Sequence, residues 1–176
     1  MLRKEGTEML FEFQESDYEP INRFRLISRW TSPSHAEFAP EVLDAIRPLG
    51  ATRAAVINEF AIDRVHARHP GVGLNSEFAR DVRRLRTRDV DERVVRDWLV
   101  SLPITSDEAV IVSWDATTAV TAPFVLVARH WSDFFYPSSD DAAVIPPHLK
   151  WMLAWHHEEV FEFGNASSGL GDPDRA

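Results

Sequence analysis

The run Ala109-Val-Ile-Val-Ser-Trp114 constrains this chain more than any other stretch. It is short, apolar but for one serine, and bounded by Asp107-Glu108 and Asp115. Alternate side chains of a strand point to opposite sides, so a continuous apolar run fits a central strand covered on both faces. The chain can supply that cover. A protein of 176 residues buries roughly 70% of its unfolded surface, enough for one core. With 44% hydrophobic and 27% charged residues, neither a disordered chain nor a coiled coil fits. No cysteine is present, so disulfides, thiolate catalysis and cysteine-ligated metal centres are excluded.

Upstream of that run the spacing alternates between two periods. Phe11 and Phe13 alternate with Glu12 and Gln14, which predicts a strand over Met9–Glu15. Phe24 to Trp30 alternates likewise and predicts a second strand. Helical spacing follows: Val42, Leu43 and Ile46, ended by Pro48-Leu-Gly50, and then Ala54 to His66. Phe78, Val82 and Leu85 at i, i+4, i+7 predict a third helix, capped by Asn75 or Ser76. A fourth begins near Asp89-x-x-Glu92, carries Val94, Val95, Trp98, Leu99 and Leu102, and ends at Pro103.

Downstream, Thr121-Ala-Pro123 reads as a helix entry. Phe124, Val127, Ala128, Trp131 and Phe135 continue at helical spacing, so residues 122–135 are expected as a buried helix. Tyr136–Asp141 is a loop and Ala142–Ile145 a short strand before Pro146-Pro147. Residues 150–155 and 159–163 are preferred as a hairpin over a helix, with His156-His157-Glu158-Glu159 at its turn. The expected architecture is a single α+β domain over 1–164: a helical N-terminal half packed on a small, mostly antiparallel C-terminal sheet. A disordered tail is expected over 165–176.

The strand ending in Asp115, the Thr-started helix ending His130-Trp-Ser-Asp-Phe-Phe, the Asp140-Asp141 loop and the hairpin closing on Phe163-Gly164 follow one another in an order that resembles an uncharacterised family of small bacterial proteins. Ile46-Arg-Pro48 and His69-Pro70 fit the same outline, so the resemblance spans roughly residues 24–164. Tyr136-Pro-Ser-Ser-Asp-Asp and His157-Glu-Glu also look like small immunity or accessory proteins encoded beside polymorphic toxins. The first resemblance implies no activity. The second implies a toxin-binding protein, and neither assigns a role to any residue.

The net charge of −9 disfavours nucleic acid as a partner, because acidic surfaces repel phosphate backbones. Residues 131–163 alone hold six acids against one lysine. No apolar run reaches the ~20 residues of a membrane span, and the first residues lack a secretory pattern, so the cytoplasm is the expected location. Seventeen of the 19 basic residues are Arg, which reads as a GC-rich, bacterial coding sequence.

His156-His157-Glu158-Glu159 could hold a metal or relay protons. Neighbours on a strand face opposite ways, however, and two His four apart on a helix are absent, so no metal and no cofactor is expected. Asp140 and Asp141 could offer hard oxygen ligands, or simply cap a turn. Were the two loops adjacent, Asp140, Asp141, His157 and Glu158 would form a site. His130–Asp133 reads as a local pair, His66 and His69 as a helix end, and Gly71-Val-Gly73 as too short for a phosphate loop. The Arg80–Arg88 stripe reads as a solvated helix face, or a surface for an acidic partner.

Two functions follow. The preferred one is a non-catalytic module that binds, and so neutralises or regulates, a basic bacterial protein through Trp131, Tyr136, Asp140, Asp141, Glu158 and Glu159. Its rival is a metal-dependent or acid–base hydrolase centred on Asp140, Asp141, His157 and Glu158.

Overall fold

The computed structural model describes residues 11–67, 73–167 and 170. Its centre is one seven-stranded sheet in which every pairing is antiparallel. The strands are β1 (Arg47–Pro48), β2 (Ala79–Arg86), β3 (Ala109–Asp115), β4 (Thr118–Pro123), β5 (Ala142–Ile145), β6 (Trp151–His156) and β7 (Val160–Ala166). They lie in the order β1-β4-β3-β5-β6-β7-β2, so β3, β5 and β6 sit side by side at the middle.

Side-chain alternation divides the core into two layers. Val110, Val112, Val144, Trp151, Leu153, Trp155, Phe161 and Phe163 point to one face. Ile111, Ala143, Ile145, Met152 and Ala154 point to the other. The first face is large and aromatic. It is covered by α1 (Ser28–Thr31), α4 (Glu92–Val100), α5 (Phe124–Arg129) and α6 (Trp131–Phe134), through Trp30, Val95, Leu99, Phe124, Val127, Trp131 and Phe134. The second face is built of smaller residues, and one long helix lies on it. That helix is α3 (Ala51–Phe60), continued by a π turn over Ala61–Val65, and it buries Ala54, Ile57, Ala61 and Val65. The short α2 (Pro40–Asp44) leads into β1. Ala109–Asp115 is thus the twice-covered central strand that its composition demands.

The expected helical N-terminal half packed on a small sheet is overturned, because the sheet dominates and draws β1 and β2 from that half. Phe78, Val82 and Leu85 are not a helix stripe. Arg83–Arg86 pair with β7, and a bulge between Arg80 and Arg83, with Asp81 at φ 51°, breaks the period of two that would have marked a strand. Phe24–Trp30 is turn and helix, not strand, and its aromatic rings stack inward, Phe24 on Trp30 at 5.3 Å. Of the expected strand over residues 9–15, positions 9 and 10 lie outside the described residues. Phe11–Gln14 is irregular, and Glu15 starts a 3₁₀ turn.

The expected helix over 122–135 contains a missed strand. Thr121 pairs with both Arg47 and Ile111, and Pro123 closes β4 opposite Ala109. A proline at a strand end forfeits one donor only, and Pro123 at once becomes the N-cap of α5. The hairpin of β6 and β7 forms as expected, as do α4 and the helix over Ala54–Val65. Of the tail expected over residues 165–176, Asn165 and Ala166 belong to β7 and Leu170 is buried, while residues 168, 169 and 171–176 lie outside the described residues.

Among the described residues no helix is long and apolar enough to cross a membrane.

Candidate functional site

The pairing register places the candidate residues. Ala142 sits opposite Trp155 and Ser113 opposite Ala143. Continued past those pairs, the registers set Asp141 beside His156, and Asp115 beside Asp141. All three share the parity of Ile111, Ala143 and Ala154, so they lie on the α3 face at one end of three adjacent strands. The π turn ends over the same place and brings His66. A π turn widens the helix at this point, a form that recurs at functional sites. Together these residues line a groove of about 760 Å³, with Asn58, Asp63 and Trp114 on its walls.

Asp141 is its polar centre. Its Oδ1 accepts the His157 backbone N–H at 2.9 Å, and the His157 ring Nδ1 lies 2.9 and 3.1 Å from its two oxygens. His156 Nε2 stands 3.6 Å from the same carboxylate. The two imidazoles lie against each other with centroids 4.1 Å apart. A ligand atom from each of Asp141, His156 and His157 falls within 4.8 Å of the other two, the separation a metal ion could bridge.

Adjacent residues can meet here because they do not share a strand. His156 ends β6, whereas His157 opens the turn that Glu159 completes at φ 65°. The two histidines thus escape strand alternation, while Glu158 and Glu159 do not join them, as alternation led one to expect for all four.

Electrostatics follow from the packing. Burial pushes the Asp141 carboxyl up, but the His157 N–H, the His157 ring and the charge of His156 outweigh it and hold its pKa below the usual value. Burial depresses His66, with Asp141 opposing and His156 reinforcing, so this imidazole is neutral at pH 7. At Asp115, burial is outweighed by hydrogen bonds from Thr117 and Thr118 and by Arg25, and the carboxyl is again lowered. The groove consequently presents the Asp141 carboxylate and the neutral His66 imidazole, while Asp115 is already paired with Arg25.

The other candidates are placed elsewhere. Asp140 is only 8% exposed and turns away from Asp141. It takes a two-pronged ion pair from Arg29 (2.5 and 3.0 Å) and accepts the Tyr136 N–H at 2.9 Å. Glu158 is exposed, and its backbone N–H donates to His156 Nδ1 at 3.2 Å. Glu159 pairs with Arg88 at 3.1 Å. Trp131, Trp151 and Trp155 are all core residues, and the Tyr136 ring lies under the Arg29 guanidinium at 4.0 Å. His130 and Asp133 are 3.8 Å apart, too far for the expected hydrogen bond. His69 and Gly71 lie outside the described residues.

The structure therefore joins Asp141 with His157 and detaches Asp140 and Glu158 from them. It adds His156, His66, Asp63 and Asp115, of which the latter three were not foreseen as one site. The parity of Asp115, Asp141 and His156 against their apolar strand neighbours was the available signal, but it is readable only once the register is known. Comparison with protein-family models, curated proteins and solved structures found no match for this chain, so the resemblances noted above stay without a family to support them.

Proposed function

We propose that this protein is a hydrolytic enzyme whose water-activating group is the Asp141–His156–His157 cluster. The observation that carries the reading is the convergence of one carboxylate and two imidazoles from two separate strand ends on the wall of one large groove. Binding sites are commonly concave, with a few convergent polar groups. A carboxylate and two imidazoles converging on one point can activate water near neutral pH, by taking its proton or by holding an ion that lowers its pKa. In the reaction, the water oxygen bonds to the electrophilic centre, the scissile bond breaks, and the water proton ends on the leaving group.

Docking of a basic protein has less support. It relied on Trp131 and Asp140, which are buried, and on Glu159, which Arg88 already neutralises.

The test is a panel of chromogenic carboxyl esters, phosphomonoesters and phosphodiesters at pH 7–8. At least one should be turned over, with kcat/KM falling about 100-fold or more in His157→Ala, the usual scale for losing a positioned proton-transfer group. Both His157 and Asp141 are about half exposed, so their variants should fold. No turnover by the wild-type chain, or full activity in both His157→Ala and Asp141→Asn, would overturn the proposal.

A further inference from the structure

We infer that Asp141, His156 and His157 form a binding site for one divalent transition-metal ion of the zinc class. The inference rests on the hydrolase reading for the ion's use, but not for its binding.

Three properties of the cluster argue for an ion. The first is separation. Zinc bonds to nitrogen and oxygen of ~2.0–2.2 Å put tetrahedral ligand atoms about 3.3–3.6 Å apart. His156 Nε2 and Asp141 Oδ1 are at 3.6 Å, and His157 Nδ1 and Asp141 Oδ1, hydrogen-bonded at 2.9 Å, need to part by only a few tenths of an ångström. The third pair lies within 4.8 Å and closes by turning the His157 ring, whose side chain is half exposed.

The second property is support. The His157 backbone N–H donates to Asp141 Oδ1 at 2.9 Å and fixes the direction of the carboxylate, as outer hydrogen bonds do for metal-bound carboxylates. His156 is held by β6 itself, its side chain only 16% exposed.

The third is incompleteness. Two imidazoles and one carboxylate supply three ligands, and the groove leaves the remaining positions open. Structural zinc sites are closed by four protein ligands, whereas catalytic ones keep a position for water. Two histidines and a carboxylate also suit ferrous iron. Hydrolysis calls for a Lewis acid and no electron transfer, which favours zinc.

Ligation carries one identifiable cost. A neutral imidazole has a single free lone pair. With His156 Nε2 on the ion, its Nδ1 must carry the proton and can no longer accept the Glu158 N–H now at 3.2 Å. Metal binding should therefore release the Glu158 amide while the His157 amide keeps its bond to Asp141.

The experiment is equilibrium dialysis of the metal-stripped full chain against zinc chloride, cobalt chloride and, without oxygen, ferrous chloride, with elemental analysis and amide NMR. Close to one ion per chain is expected. Affinity should fall about 100-fold or more in His157→Ala and in Asp141→Asn, beyond the 10–100-fold typical of losing an outer partner. The amide signals of Glu158 and its neighbours should shift on zinc addition. Thermal unfolding of both variants without metal should match the wild type, which separates lost ligation from lost structure.

Absence of stoichiometric binding, binding unchanged in both variants, or shifts confined to residues away from the hairpin turn would overturn the site. Uptake of ferrous iron but not zinc would overturn the assigned ion. One zinc bound with no turnover on the ester panel would sink the hydrolase reading and leave the site standing. Turnover by zinc-free protein that takes up no metal would do the reverse.

Discussion

Asp140 and Asp141 are neighbours in sequence with opposite fates. Asp141 faces the groove, whereas Asp140 turns beneath the loop and closes a nearly buried ion pair with Arg29, whose guanidinium also caps the Tyr136 ring. Removing one partner of a buried pair leaves the other charge stranded, at a cost of about 3–5 kcal/mol. Asp140→Ala should lose that much stability in urea unfolding, while Asp141→Ala, half exposed, should lose far less. Equal small losses would mean that Arg29 finds another partner. Gly73 shows a comparable dependence on context. At φ 105° it adopts a conformation closed to most side chains, and a Cβ there would lie 2.0 Å from Glu162 Oε2. That same oxygen accepts the Leu74 N–H at 2.7 Å. The sequence announces all of these residue types but not which way each would turn, because direction is set by partners on other elements: 16 positions away for Asp141 and His157, 88 for Leu74 and Glu162, and 111 for Arg29 and Asp140.

Among elements, β2 explains the Arg-rich stripe. It is an edge strand, paired only with β7, and Arg80 to Arg84 are exposed. Arg84 pairs with Glu162 at 3.2 Å and Arg80 bonds the Ser76 carbonyl, while Arg83 and Arg86 are exposed on this edge strand. Charged side chains on an edge oppose pairing with a second copy of the same strand. Replacing Arg83 and Arg86 together by Val should therefore promote self-association, seen as a concentration-dependent increase in sedimentation coefficient. A strictly monomeric double variant would show that the bulge alone protects the edge. The stripe was legible as basic but not as a strand. Its bulge cancels the alternation, and its exposure removes the apolar half of the pattern. By contrast α4 was legible from its regular amphipathic spacing, although its cap is Asp91, which accepts the Arg93 N–H at 2.8 Å, and not the expected Asp89.

For the whole molecule, burial of titratable groups sets the response to pH. Burial depresses the His130 pKa below the ordinary 6.5; Asp133 opposes this, while Arg129 and Arg96 reinforce it. The unfolded chain then binds the proton more readily than the native one, so stability falls as pH drops below about 6.5 and toward the native value. Asp133, raised chiefly by burial, acts in the opposite sense only near and above the carboxylate range. Chemical unfolding between pH 7.5 and 5.5 should show declining stability, with a shallower decline in His130→Gln; parallel curves for the two proteins would refute this origin. What the chain determined by itself is local and periodic: the doubly covered Ala109–Asp115, the β6–β7 hairpin, and the helices over Ala54–Val65 and Glu92–Val100. Those signals need only nearest neighbours and a polarity contrast. The sevenfold sheet, the recruitment of β1, β2 and β4, and the meeting of Asp141 with His156 and His157 were decided by tertiary pairing. A strand's partner and register depend on which faces fit across large sequence separations, and a shift of one residue would have turned Asp141 and His156 to opposite sides of the sheet.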